Sequence, residues 1–399
     1  MKFDPQKFVE KQTKEIRKTL GGERALVAVS GGVDSTTCAA LTHRAIGENL
    51  LCVMLDDAFM REGEPERVAQ LVSQSPLQLP IKILNVQERF LKALEGLRDA
   101  EEKRKAFREA FYNTLMETAE QEGCQFLVQG TIAADIVETT GGVKTQHNVL
   151  AQMGINTVER FGFQIIEPLV SLYKGHVRKV ARHLGVPSEI SERQPFPGPG
   201  LSVRVVGEIK ADKLATLKKA TAITEKGLAE HQPSQFFAAI VENTENSSYS
   251  KLGGLSELIG EFLEVLPNCV SVKVFQDRAT GVKEGQRLYG DILAVKVEGE
   301  NGRILKTSIE SLVGLQAKIV KENPSFSRVL YAINETGKKQ AYSIIARAVE
   351  TVDFLTASVA DVSWKRLEKI TNRILESCPM VSSVYYDVTP KPPATIEFE

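Results

Sequence analysis

The first half of the chain predicts an α/β protein built on a parallel, doubly wound sheet, and three observations carry that expectation. Short apolar runs rich in Val, Ile and Leu recur at 24–30, 49–57, 80–86 and 124–131, as strands covered on both faces do. Longer segments of helical period separate them, among them 64–75 and 101–123. The first apolar run stops abruptly at Ser30-Gly31-Gly32, and Asp34, Ser35 and Thr36 follow before the chain turns helical. In sheets of this kind, ligands bind beyond the carboxyl ends of the strands.

Composition narrows the class. With 399 residues, 42% hydrophobic and 25% charged, the chain can bury two or three cores and is not wholesale disordered. Lys plus Arg (50) nearly cancels Asp plus Glu (51), so no global field draws it to nucleic acid or an anionic membrane. The N-terminus has no uninterrupted apolar h-region and no stretch is long enough to span a bilayer, which makes a cytoplasmic protein the expectation. Cys38, Cys52, Cys124, Cys269 and Cys378 are odd in number and scattered. They read as reduced, mostly buried thiols.

The elements then follow in order. At the end of the first run, Gly31 and Gly32 let the backbone turn its N–H groups toward an anion, and the helix after them adds its positive end. A tight strand-to-helix turn would use the same two glycines. Ser30, Ser35 and Thr36 add hydroxyl donors for phosphate oxygens, and Asp34 adds a carboxylate suited to a Mg²⁺ shell. The GxxxxGK spacing of a Walker A loop is absent. Asp56 closes the second run; Gln129, Gly130 and Thr131 close a later one on the same rim. Asp135 and Glu138 lie three apart, so both carboxylates can share a helical face.

"SGGVDST" at 30–36 resembles the pyrophosphate loop of the N-type ATP pyrophosphatases. "VQGTIAADIVE" (128–138), "QHNV" (146–149), "EPLVSLYKGHVRKVARHLGVP" (167–187), "RQPFPGPGLSVRVVGE" (193–208) and "VYYDVTPKPPATIEFE" (384–399) are similar, in order, to GMP synthase. The likeness runs from about Phe8 to Glu208 and resumes from about Arg347. It implies ATP and Mg²⁺ as cofactors and adenylylation of xanthosine monophosphate, or a related acceptor, before ammonia displaces AMP. It also implies roles. Ser30, Gly31, Gly32, Asp34 and Ser35 would hold the β and γ phosphates, Asp56, Gln129, Gly130 and Thr131 the rest of ATP, and Asp135 with Glu138 the Mg²⁺. Lys144 and His147 would act from a lid, and Arg193, Arg347, Lys391 and Glu397 would bind the acceptor. Ala58, Gln146 and Leu150-Ala151 depart from the family pattern near the lid and the acceptor rim.

The expected fold class is therefore a parallel doubly wound sheet of the adenine-nucleotide hydrolase type over 1–207, followed by an enlarged α+β dimerisation domain over 208–399. Within the second domain, 270–298 and 326–350 read as a repeat of two strand–turn–strand hairpins. Lys338 stands in the second of them near an arginine position of the family. The resemblance begins too early in the chain to leave room for a glutaminase domain. Ammonia would come from solution or from a separate glutamine amidotransferase subunit, and a homodimer is the symmetric default. Two other readings stay open at this point: a paralogue activating another heterocycle or a tRNA base, and a non-catalytic relative.

Overall fold

The computed structural model describes residues 3–133, 135–136, 162–249, 254–283, 285–299, 302–352 and 355–399. They form two compact units: one made of Met1–Leu94 with Arg104–Gly200, the other of Glu95–Lys103 with Leu201–Glu399. The division thus falls at Gly200 instead of 207, and a short upstream piece joins the second unit. The reason is local. Lys103 is buried, and its ammonium donates to the carbonyls of Val205 (2.7 Å) and Gly207 (2.9 Å) and pairs with Glu399.

The first unit holds a five-stranded, all-parallel sheet in the order β3-β2-β1-β4-β5. Its strands are β1 (Arg24–Ala28), β2 (Leu50–Asp56), β3 (Ile81–Asn85), β4 (Cys124–Val128) and β5 (Gln164–Ile166). The helices are α1 (Pro5–Leu20), α2 (Val33–Ile46), α3 (Glu64–Ser73), α4 (Gln87–Leu94), α5 (Ala100–Glu122), α6 (Lys174–Leu184) and the single turn α7 (Ser188–Ser191). Each expected strand is present and two or three residues shorter than its apolar run, the residues lost lying at the strand ends. Successive strands step outward from β1 on one side and from β4 on the other, so the order reverses between β1 and β4. A crevice opens at such a reversal. Val27, Val128, Cys52, Leu41 and Val177 pack in one core beneath it.

The second unit is a mixed sheet in the order β11-β10-β12-β9-β8-β7, with β6 also paired to β10. Its strands are β6 (Gln235–Glu242), β7 (Val270–Lys283), β8 (Gln286–Val297), β9 (Phe326–Glu335), β10 (Tyr342–Glu350), β11 (Ser358–Val359) and β12 (Val381–Asp387). Helices α8 (Ala211–Leu228), α9 (Leu255–Leu263), α10 (Ile309–Glu322) and α11 (Trp364–Ser377) accompany it. The first expected hairpin is real: β7 and β8 pair antiparallel. The second is not. β12 inserts between β9 and β10, antiparallel to β9 and parallel to β10. Every residue of β12 is buried, and a strand buried along its whole length must be paired on both edges.

Candidate active site

The site is built where β1 ends. Val29 still donates to Val53 at 2.8 Å, and then Ser30-Gly31-Gly32 turns the chain into α2. Gly31 has φ +76°, and a Cβ there would lie 2.8 Å from Val68 Cγ2. Conformation and space both require glycine. Gly32 is the N-cap and no side chain caps the helix, which leaves the positive first turn of α2 facing the crevice. The hydroxyls set the loop's shape: Ser30 N donates to Ser35 Oγ (3.1 Å), the two serine oxygens are 3.0 Å apart, and Ser35 Oγ donates to Gly32 O (3.3 Å).

Asp34 stands in that first turn. One of its oxygens, Oδ2, pairs with the Lys174 ammonium at the start of α6. The other, Oδ1, is buried and has no hydrogen-bond partner among the described residues. Gly130 backs directly onto the helix start, where a Cβ would meet Ser35 N at 3.0 Å and the Asp34 carbonyl carbon at 3.1 Å. Next to it, Gln129 donates its amide to Tyr112 Oη (2.7 Å) while its Oε1 is buried without a partner among the described residues. Thr131 Oγ1 donates to Glu167 at 2.5 Å. The Cys38 thiol lies below, donating to Gln129 O (3.4 Å). Burial pushes its pKa up, and the charges of Asp34 and Glu167 push it further. The rim between β1 and β4 thus presents helix N–H groups, one lysine, two carboxylates and two buried oxygens in need of donors or a cation.

Oxygen donors of this kind suit Mg²⁺, which takes one or two carboxylates and completes its shell with phosphates and water. Among the described residues no three His, Cys, Asp or Glu form a metal cluster by themselves. Asp135 is buried and accepts from Ile132 N at 2.8 Å, so one oxygen holds the turn in which it sits. Glu138, Lys144, Gln146, His147 and Leu150-Ala151 lie outside the described residues.

Asp56, at the end of β2, accepts from Gln87 Nε2 at 2.6 Å. The turn after it is tight: Phe59 N donates to Asp57 Oδ1 (2.8 Å), and Ala58 adopts φ +73°. Gly200, at the end of the Pro-Gly path, also has positive φ, and a Cβ on it would collide with the Phe59 carbonyl. Arg193 is placed beside the loop. It pairs at 2.5 Å with Glu64, which is buried and also paired with Arg61 (3.5 Å), and its Nη1 is 3.6 Å from the Gly31 Cβ position.

The other expected acceptor residues belong to the second unit, and two are enclosed there. Arg347 is fully buried; it pairs with Asp387 (2.6 Å) and donates to the carbonyls of Thr389 (2.9 Å), Thr395 (3.0 Å) and Ile396 (2.9 Å). Glu397 accepts two bonds from Arg204, both 2.9 Å, and one from Gln235 (2.8 Å). Lys391 is partly exposed, and its backbone exchanges bonds with Ala357. Arg347 and Glu397 therefore hold the segment 388–399 in place, and Lys391 is presented by it.

Sequence reading passed over Lys174, Glu167, Glu64 and Tyr112. Lys174 and Glu167 stood in a quoted segment without a role; their meaning depends on which strand end each faces, and spacing does not encode that.

Residues 5–188 match the PP-loop domain model, and residues 332–398 match the GMP synthase C terminal domain model. A subunit of the glutamine-hydrolyzing GMP synthase from Sulfurisphaera tokodaii is 43% identical over 399 residues, covering 100% of both chains. Its counterpart from Saccharolobus solfataricus is 44% identical over 398 residues, and that from Archaeoglobus fulgidus 37% over 397, again at full coverage of both. The extra chain between about 209 and 346 is therefore common to these relatives.

Proposed function

Since the chain belongs to the family of GMP synthase synthetase subunits, we propose that it activates xanthosine monophosphate with ATP and aminates it with ammonia to give GMP, AMP and pyrophosphate. In the first step the ring carbonyl oxygen attacks the α phosphorus and the bond to the β phosphate breaks, releasing pyrophosphate. In the second, ammonia adds at the ring carbon, a proton is lost, and AMP departs with the oxygen. The observation that carries this reading is the buried Asp34 Oδ1, which has no partner among the described residues, beside a helix start that no side chain caps.

Each residue has a task that follows from its placement. The first-turn N–H groups of α2 and the Ser30 and Ser35 hydroxyls bind the β and γ phosphates, where negative charge collects as pyrophosphate leaves. Lys174 moves from Asp34 onto a phosphate oxygen once ATP enters, and Arg193, aimed by Glu64, binds beside Gly31. Gly130 and Thr131 line the crevice, and Gln129 and Asp56 contact the nucleoside part. Mg²⁺, held by Asp34 and by Asp135 with Glu138, would neutralise phosphate charge. Lys144 and His147 are assigned to the lid, Lys391 to the acceptor phosphate. Arg347 and Glu397 act as positioning residues for Lys391.

Ammonia reaches the enzyme from a separate glutamine amidotransferase subunit, and the chain works as a homodimer in the cytoplasm. The test is AMP and pyrophosphate release from ATP and Mg²⁺ with ammonium, with and without xanthosine monophosphate. Release and GMP formation strictly dependent on that acceptor support the reading; release indifferent to it overturns it. Glutamine alone should give no GMP until the amidotransferase is added.

A further inference from the structure

Helix α1 buries Val9, Thr13, Ile16 and Leu20 on one side. Its outer side carries Lys7, Lys11, Lys14 and Lys18, all exposed. Residues three and four apart are neighbours on a helix, so the four ammoniums form one stripe, about 17 Å long at 1.5 Å per residue. Among the described residues, Lys11 is the one member of the stripe with an ion pair, to Glu15 at 3.7 Å on the open surface.

The stripe works against its own helix. Like charges at these spacings destabilise a helix, and a cation in the first turn opposes the positive end already there. Lys7 stands in that turn, which holds no acid; Lys18, in the last turn, is the member that the dipole favours. Asp4 secures the start by accepting from Gln6 N (3.0 Å) and Lys7 N (3.3 Å), so the helix forms in spite of its charges. A locally unfavourable pattern that nothing inside the fold repays marks a surface used by something outside it.

Position narrows what that is. α1 packs on α2 and α6, the two helices whose first turns build the crevice. Phe3, just before α1, stacks on His176 of α6 at 4.2 Å, two residues from the Lys174 that pairs with Asp34. The stripe therefore begins beside the crevice and runs away from it. The chain's net charge of -1 exerts no general pull on nucleic acid, whereas a charged stripe facing an acidic counterpart gives a protein partner its register and its on-rate. A partner that supplies a small neutral reactant such as ammonia has reason to sit close to where it is consumed.

We infer that the α1 stripe docks an acidic surface of the separate glutamine amidotransferase subunit, which releases ammonia beside the crevice. The inference rests on the synthetase reading and adds to it the surface on which that subunit sits.

The test compares wild type with the Lys7→Glu, Lys14→Glu double variant and with Lys92→Glu, Lys105→Glu, which makes the same charge change on α4 and α5. GMP formation is measured with ammonium, then with glutamine and increasing amounts of the amidotransferase subunit from the same organism. The stripe variant should need at least tenfold more of that subunit for half-maximal glutamine-dependent GMP formation, keep its ammonium-dependent rate within about twofold, and unfold at the wild-type urea midpoint. The α4 and α5 variant should match wild type throughout. Added salt should raise the half-saturating amount in wild type more than in the stripe variant. Equal half-saturation in wild type and stripe variant would overturn the docking surface, and so would an equal loss in both variants, since the effect would then be one of net charge. Weaker retention of a single-stranded RNA by the stripe variant, with half-saturation unchanged, would overturn it in favour of nucleic acid. Failure of the synthetase reading shows separately, as no GMP from ammonium in wild type; calorimetric binding of the amidotransferase subunit, which needs no turnover, then decides the stripe on its own.

Discussion

Asp34 and Asp387 are the same residue in opposite circumstances. Asp387, in β12, is fully buried: its Oδ2 lies between Arg328 (2.9 Å) and Arg347 (2.6 Å), and its Oδ1 accepts from Thr389 N (2.9 Å). Nothing is left over. Asp34 pairs one oxygen with Lys174 and leaves the other buried with no partner among the described residues. A buried oxygen without a donor costs about 1–3 kcal/mol. A fold keeps such an atom where a ligand will complete it, whereas a closed set of bonds serves the fold alone. Both carboxylates make strong ion pairs; only the incomplete one advertises chemistry.

The comparison breaks most severely at Asp387. Asp387→Ala leaves Arg328 and Arg347 buried side by side without their common anion, and about 3–5 kcal/mol of stability should be lost, read by urea unfolding. A loss under about 1 kcal/mol would mean that the network is not what holds the segment 388–399. Asp34→Ala should do the reverse. AMP formation should fall by about 10²–10³-fold, while the urea midpoint moves by no more than about 1 kcal/mol equivalent. Equal damage to both properties would erase the distinction between the open and the closed carboxylate.

Smaller changes sharpen it. Gly130→Ala forces a methyl against the Ser35 amide and the Asp34 backbone, which must shift; about 1–3 kcal/mol of strain is expected, with a tenfold or greater rise in the KM for ATP. A normal KM would show that the crevice tolerates movement there. Ala58→Gly is the mildest. Positive φ costs a residue with a Cβ about 1–2 kcal/mol, partly offset by the greater freedom of glycine in the unfolded chain, so a gain of up to about 1 kcal/mol should appear in thermal unfolding. A loss would mean that the Ala58 methyl, which is buried, contributes more by packing than its backbone costs.

The parallel sheet was legible because its strands are continuous apolar runs closed by turn residues, and the loop because two glycines, an acid and hydroxyls follow one such run directly. Pairing in the second unit was not. β9 and β10 read as a hairpin from strand composition, yet the bond partner of each is β12, some thirty or more residues further on, and composition does not say which strand fills a gap. Arg347 and Glu397 were legible as important, but not their bonds to Asp387, Arg204 and the 388–399 carbonyls, because a motif marks a residue without saying what it packs against. Lys174 was hidden for the converse reason, since one lysine at a helix start looks like any other until the fold brings it to Asp34.

The insertion of β12 also orders events in time. During synthesis, β6 to β10 emerge well before residues 381–387, and until those arrive β9 and β10 each carry an unpaired inner edge. Exposed apolar edges invite pairing with other chains. The first unit meets the same problem earlier, because the inner edge of β1 waits for β4 at Cys124–Val128, so each unit passes through a sticky interval of its own. A chaperone that shields nascent chains should therefore engage twice, once before β4 emerges and again before β12 does.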